Sequence, residues 1–276
     1  MKILVESGAT KSDWRILGTD VRFFLPGTNV SAMPMEAVKD VIGGGISRCI
    51  AEGGSPEGFF LYTAGVVTDA IRGELSSFVK ELAPTAEIDI QDDLMGAARG
   101  ACGHEKGIVA IMGTGSNACF FDGSSVSRKV YSGGFILGDD GSASVLGKLF
   151  LADWLKFRVP KDIAEDFSSR FDGSYATIVE NVYRGDSPSR YLGSFAPFIM
   201  EHYKSSDYIR TMVDNHFRAF AEKSILAYDV RSYPVGIVGG FGWACREIIS
   251  RIFTEYGIRI SRFIPAPIDG LIDYHR

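Results

Sequence analysis

Three acidic sites carry the residue types that proton or cation chemistry needs. Glu6 ends the apolar run at residues 2–5 and precedes Ser7-Gly8. A strand-end carboxylate of this kind suits a water-coordinated Mg²⁺, or is simply a solvated charge. Asp92 and Asp93 follow Gln91, where a predicted strand gives way to a predicted helix. A carboxylate there can take a proton from a hydroxyl, and it can equally cap the helix; the spacing leaves both readings open. Gly138-Asp139-Asp140-Gly141-Ser142 forms a loop before a long helical pattern. Asp140 or Ser142 can cap that helix, while Asp139 can hold a polar ligand.

Two glycine-bearing turns add a different chemistry. Ser7-Gly8-Ala9-Thr10-Lys11 and Gly113-Thr114-Gly115-Ser116 both follow apolar strands. Small residues let backbone N–H groups approach a polyphosphate, and Thr10, Lys11, Thr114 and Ser116 add donors. A hairpin turn needs glycine for its own sake, but two such turns at matching places in a repeat favour a shared ligand. G-x-x-x-x-G-K-[ST] is missing, no G-x-G-x-x-G follows the first strand, and G-x-S-x-G does not occur. His104, His202, His216 and His275 have no metal-ligand spacing.

The elements that must position these residues fall into two similar series. Apolar stretches predict strands at 2–5, 13–17, 21–25, 59–63 and 87–91, and helices at 35–51, 69–82 and 94–102. Gly43-Gly44-Gly45 weakens the first helix by about 1 kcal/mol per glycine. The pattern restarts with strands at 108–112, 117–121 and 126–131. Laid ungapped over 108–123, residues 3–18 put Gly8 on Gly113 and Gly18 on Gly123. Each copy reads strand, glycine turn, strand, which suggests two related α/β domains. Helices follow at 142–159, where Pro160 stops the pattern, through much of 161–232, and at 243–256, with strands at 235–239 and 258–263.

Composition narrows the function classes. The chain has 276 residues, 46% hydrophobic and 23% charged, with a net charge of −5. That balance argues against general nucleic-acid binding, which needs a basic surface. No apolar run approaches the roughly 20 residues of a membrane span, and MKILVESG lacks the apolar core of a secretion signal, so no membrane association and a cytoplasmic location are expected. The four cysteines, without a C-x-x-C pair, read as small buried hydrophobes in a reducing compartment. The 32 glycines cluster in part at strand ends: Gly8, Gly65, Gly113, Gly115, Gly239, Gly240 and Gly242. Ligands of α/β proteins bind at such ends.

Taken in order, VESGATKSDW (5–14), GTN (27–29), TAG (63–65), QDDLMGAARG (91–100), IMGTGSNACFF (111–121), GGFILGDDGSASVLGK (133–148), VGGFGW (238–243) and PAPIDGLIDYH (265–275) span the chain. The set resembles the sugar kinase and actin-like ATPase superfamily, and within it the N-acetylglucosamine kinase family and the related BadF/BadG-type ATPases. The resemblance implies an α/β fold of two ribonuclease-H-like domains around an interdomain cleft that closes on ATP and sugar. The domains are expected at 1–105, joined by the C-terminal segment 264–276, and at 106–263. Gly8, Thr10 and Lys11 match the first phosphate loop, Thr114, Gly115 and Ser116 the second, and Gly239 and Gly240 lie against adenosine in this reading. Asp93 matches the general base for the sugar's 6-hydroxyl. Asn29, Gly65, Gly133, Gly134 and Asp139 match sugar-side positions, and Glu6 holds Mg²⁺ through water where the family usually has Asp. The family's G-G-W-G stretch is shortened here to Gly133-Gly134-Phe135. The implied function is ATP-dependent phosphorylation of a primary hydroxyl on an amino sugar, with a homodimer as one assembly the resemblance allows. The alternatives are a BadF/BadG-type activator ATPase, or a nucleotide- and sugar-binding protein with little catalysis.

Overall fold

Strand pairing divides the chain into two five-stranded mixed sheets. The computed structural model describes residues 1–8, 11–30, 33–66 and 68–276. Thr10, one of the predicted phosphate-loop residues, lies outside them. In chain order the first series is β1 (Lys2–Ser7), β2 (Lys11–Ile16), β3 (Arg22–Pro26), α1 (Met35–Gly53), β4 (Gly58–Thr63), α2 (Asp69–Leu82), β5 (Glu87–Gln91) and α3 (Asp93–Cys102). The second begins with β6 (Gly107–Met112), β7 (Ser116–Phe121), β8 (Val126–Val130), α4 (Gly134–Leu137) and α5 (Ala143–Trp154). Helices α6 to α10 follow (Lys161–Arg170, Tyr175–Tyr183, Pro188–Gly193, Ala196–Glu201 and Asp207–Phe220), then a π-helical turn at Ala221–Ile225. β9 (Val235–Val238), α11 (Gly240–Ala244), α12 (Arg246–Glu255), β10 (Ile260–Ile264) and α13 (Ile268–Tyr274) complete the order.

One compact unit comprises Met1–Glu105, Asp122–Val126 and Ala266–Arg276. Its sheet runs β3-β2-β1-β4-β5. β1 and β2 are antiparallel, as are β2 and β3, while β1, β4 and β5 are parallel neighbours. Trp14, fully buried, is the centre of the core between the sheet and α1, stacked on Phe23 at 5.8 Å. α1 continues through Gly43-Gly44-Gly45 because packing outweighs propensity: a Cβ on Gly45 would lie 2.3 Å from the Trp14 ring. On the sheet's other face Leu4, Phe60 and Tyr62 are covered by Ile268 and Leu271 of α13. α13 crosses α3 at two glycines, since a Cβ on Gly270 would meet the Gly100 carbonyl oxygen at 2.0 Å.

The other unit comprises Lys106–Phe121 and Ser127–Pro265. Its sheet runs β10-β9-β6-β7-β8, with β6 and β7 antiparallel and β6, β9 and β10 parallel. Read outward from its first strand, this is the strand order of the first sheet. The leading hairpins coincide under a constant shift of 105 residues, Lys2–Ser7 onto Gly107–Met112 and Lys11–Ile16 onto Ser116–Phe121. Both sheets have the ribonuclease-H-like arrangement. The helical expectation at 142–159 shortens to Ala143–Trp154, because Phe157 adopts φ 55°, a conformation outside the right-handed helix. The expected helix at 243–256 is two helices that meet at Cys245.

Candidate active site

In the first unit the predicted residues gather past the carboxyl ends of three parallel strands. β1 ends at Ser7, β4 at Thr63 and β5 at Gln91. Beyond them lie Gly8, Gly65 and Asp93, with Asn29 on the segment that follows β3. A buried hydroxyl cluster ties these ends together. Ser7 Oγ accepts from the Thr28 N–H at 2.9 Å, Thr28 Oγ1 donates to the same oxygen at 2.8 Å, and Thr63 Oγ1 donates to the Thr28 carbonyl at 2.7 Å. The Val30 N–H donates to the Ala64 carbonyl at 3.0 Å. Asn29 is thereby fixed between two anchored neighbours. Thr28 and Thr63 stand in the GTN and TAG motifs, but nothing in their spacing announces a shared bond.

The ambiguity at Asp92-Asp93 is resolved by geometry. Asp92 is the N-cap of α3, its Oδ1 accepting from the Met95 N–H at 2.7 Å. Asp93 is then the first helical residue, with an exposed side chain. Glu6 lies within electrostatic reach of Asp93 and faces Asp13 across the β1–β2 ladder. Burial, then the charges of Asp13 and Asp93, push its carboxyl up to about 7, with Lys11 opposing. Glu6 is half-buried. Asp13 is itself buried and paired with Arg15 at 2.8 Å and Arg22 at 2.7 Å. Lys11 Nζ sits 5.0 Å from the Phe24 ring centroid, and the Gly8 N–H closes the hairpin on the Lys11 carbonyl at 3.1 Å.

In the second unit α5 grips the Gly113–Ser116 turn. The Ala143 and Ser144 N–H groups donate to the carbonyls of Gly113 at 3.0 Å and Thr114 at 3.1 Å. Because a trans peptide sets N–H opposite C=O, the Thr114 and Gly115 N–H groups point away from α5. Ser142 caps the helix through the Val145 N–H at 3.2 Å. Asp139, at φ 54°, folds its carboxylate against Gly115, where a Cβ would meet Oδ2 at 3.0 Å. Burial raises its carboxyl above the usual range, opposed by hydrogen bonds from the Ser116 N–H and the Ser132 hydroxyl. Ser116 Oγ donates to the Asp140 carbonyl at 2.7 Å. Asp139 and Ser116 thus brace the turn internally.

Gly133 (φ 76°) and Gly134 (φ 69°) open the short α4, which stands just before Asp139. Gly239 and Gly240 serve different ends. Gly239, at φ 123°, lets β9 run beside the turn, since its Cβ would stand 2.5 Å from the Met112 carbonyl oxygen. Gly240 lines a cavity of about 520 Å³ together with Gly113, Thr114 and Cys245. Ala143, Ala196, Pro197, Met200, Phe241 and Ala244 complete most of its wall. Except for Phe241, which falls inside VGGFGW, and Ala143, which falls inside the GDDGSA stretch, these residues carried no sequence signal.

No family model and no curated protein matches the chain. Among solved structures, a candidate N-acetylglucosamine kinase from Porphyromonas gingivalis is 32% identical with a TM-score of 0.91, the match covering 100% of this chain and 98% of that one. The chain belongs to the N-acetylglucosamine kinase family. A second candidate kinase of this family, from Chromobacterium violaceum, has a TM-score of 0.80 at 17% identity over 99% of this chain and 98% of that one. A ROK family glucokinase from Streptomyces griseus, solved with glucose and AMPPNP, shares the fold at a TM-score of 0.57 and 16% identity, over 99% and 97% of the two chains. The chain has the fold of the sugar kinase and actin-like ATPase superfamily, and Gly8, Gly65 and Asp93 lie past the carboxyl ends of parallel strands. Among the described residues, no helix is long and apolar enough to cross a membrane.

Proposed function

We propose that this family member transfers the γ-phosphoryl group of ATP to a primary hydroxyl of an amino sugar resembling N-acetylglucosamine. The observation that carries the reading is the exposed Asp93 carboxylate at the start of α3, relieved of capping by Asp92 and set beside Glu6. In this reading Asp93 orients the sugar hydroxyl and accepts its proton as the oxygen bonds to phosphorus and the β–γ bridging oxygen departs with ADP. The backbone of the Gly8 turn, with Thr10 and Lys11, and the Thr114 and Gly115 N–H groups receive the phosphates, while Ser116, its N–H taken by Asp139 and its Oγ by the Asp140 carbonyl, holds the second turn in place. Gly239 and Gly240 border adenosine. Asn29, Gly65, Gly133, Gly134 and Asp139 border the sugar, the first two held by the Ser7–Thr28–Thr63 hydroxyls.

Among the described residues, no group of three or more His, Cys, Asp or Glu side chains is arranged to hold a metal ion. Mg²⁺ as kinases use it keeps several waters and relies on one or two carboxylates plus substrate phosphates, and the Glu6 carboxylate, with Asp93 within its electrostatic reach, is such a group. Glu6 would hold it through water, and the ion would neutralise charge on the phosphates. The amino-sugar assignment draws support from the 32% identical Porphyromonas relative. The test is ADP release with Mg²⁺ across N-acetylglucosamine, glucosamine, N-acetylmuramic acid and glucose. Sugar-dependent release, greatest with an N-acetylated sugar, is expected. Release that no sugar stimulates would remove the phosphotransfer reading.

A further inference from the structure

The wall of the cavity beside the Gly113–Ser116 turn is chemically uniform. Ala143, Ala196, Pro197, Met200, Phe241 and Ala244 bring only apolar side chains. Cys245 adds a thiol that is 1% exposed, a weak hydrogen-bonding group at best. Thr114 belongs to the turn assigned to phosphate. Among the described residues, no side-chain amide, carboxylate, guanidinium or imidazole lines the cavity. Two backbone carbonyls of the wall are engaged, that of Met200 by the Tyr203 N–H at 3.2 Å and that of Phe241 by the Cys245 N–H at 3.0 Å. The Ala143 N–H is taken by Gly113, and Pro197 has no N–H to offer. The volume of about 520 Å³ lies within the usual range for small-molecule sites.

Such a wall reads shape and apolar area, not the hydrogen-bond pattern of a base. A site built to bond a polar group strongly rejects analogues lacking it, whereas an apolar pocket discriminates weakly between molecules of one shape. Adenine, hypoxanthine and guanine share a bicyclic face and differ only in edge donors and acceptors. We propose that the donor site accepts purine nucleoside triphosphates as a class and does not select adenine. The proposal rests on the phosphotransfer reading above and names the substrate class of its nucleotide site.

The experiment compares kcat/KM for ATP, ITP and GTP at fixed Mg²⁺ and saturating sugar. The three values are expected to agree within about tenfold, because no partner for the edge is lost. UTP and CTP, which offer less apolar face, are expected to show a raised KM with kcat retained. A preference of more than tenfold for ATP over ITP overturns the proposal. If no nucleotide supports transfer to any sugar, the phosphotransfer reading fails on its own. Calorimetric binding of ADP, IDP and GDP then decides the pocket: affinities within tenfold uphold it, and ADP binding more than tenfold tighter overturns it. Ala244→Trp tests the location from an exposed position. It is expected to raise KM for ATP, ITP and GTP alike by tenfold or more without changing the sugar KM. A folded Ala244→Trp protein with all three values unchanged overturns the assignment of this cavity to the base.

Discussion

The turn after β1 and the turn after β6 hold equivalent places in two sheets of the same strand order, yet their surroundings are opposite in character. Around the first lie Glu6, Asp13, Asp93 and Lys11, with a buried hydroxyl cluster beneath. Around the second lie one buried carboxylate, Asp139, an apolar cavity and the N-terminus of α5, whose N–H groups hold the turn by its carbonyls. One hairpin design is thus set among several charged side chains in one unit, and between a single buried carboxylate and an apolar wall in the other; in the reading proposed above, the first moves a proton and the second holds a base. Fold symmetry does not impose symmetry of chemistry: under the 105-residue shift Glu6, Lys11 and Asp13 of β1 and β2 fall on Ile111, Ser116 and Ala118.

The largest effect that would sharpen this contrast is expected at Asp93. Asp93→Asn should lower phosphotransfer roughly 10²- to 10⁴-fold, the span of general base catalysis, while the ATP affinity measured by calorimetry stays near wild type. Near-normal turnover would break the division of labour. Asp92→Ala should instead cost about 1 kcal/mol of stability through the lost cap.

The glycines give the next comparison. Gly239→Ala forces a side chain to φ 123° and to within 2.5 Å of a carbonyl oxygen. Strain and overpacking together should cost roughly 3 kcal/mol, read as a fall in Tm. Gly8→Ala meets no heavy atom within 4 Å, so its Tm should hold while KM for ATP rises. Equal losses of stability in both would show that the two turns are constrained alike.

A third test uses pH. Glu6 has its folded pKa raised to about 7 from an unfolded value near 4.5. Its favourable contribution is therefore complete below about pH 4.5 and is lost as pH rises through 7. Ionising it in place should cost up to about 3 kcal/mol. Glu6→Gln should accordingly lose less stability than wild type between pH 5 and pH 8.5 in thermal melts. Parallel pH curves would mean that Glu6 ionises without penalty. The smallest effect is expected in the second unit, where Ser142→Ala should cost about 1 kcal/mol by removing the α5 cap.

Much of this was legible from the residues in order. The β1 and β6 hairpins and the helix at 69–82 follow from apolar spacing and glycine position, which are local signals. The Asp92-Asp93 pair was visible but not its division of roles, since capping depends on which carboxylate meets the Met95 N–H. Gly43-Gly44-Gly45 misled about helix strength, because the ring that needs Gly45 belongs to a strand some thirty residues earlier. The cavity wall was invisible for the same reason. Its residues come from α5, α9 and α11, and alanine, proline and methionine at those spacings look like ordinary helix positions.

The sheet face capped by α13 also bears on how the chain is made. Leu4, Phe60 and Tyr62 emerge from the ribosome about two hundred residues before their cover, Ile268 and Leu271. At translation rates of about 5–20 residues per second, that greasy face waits on the order of ten seconds for its lid. A nascent chain stalled before Ile268 should bind an apolar dye, and a chaperone with it, until α13 is released.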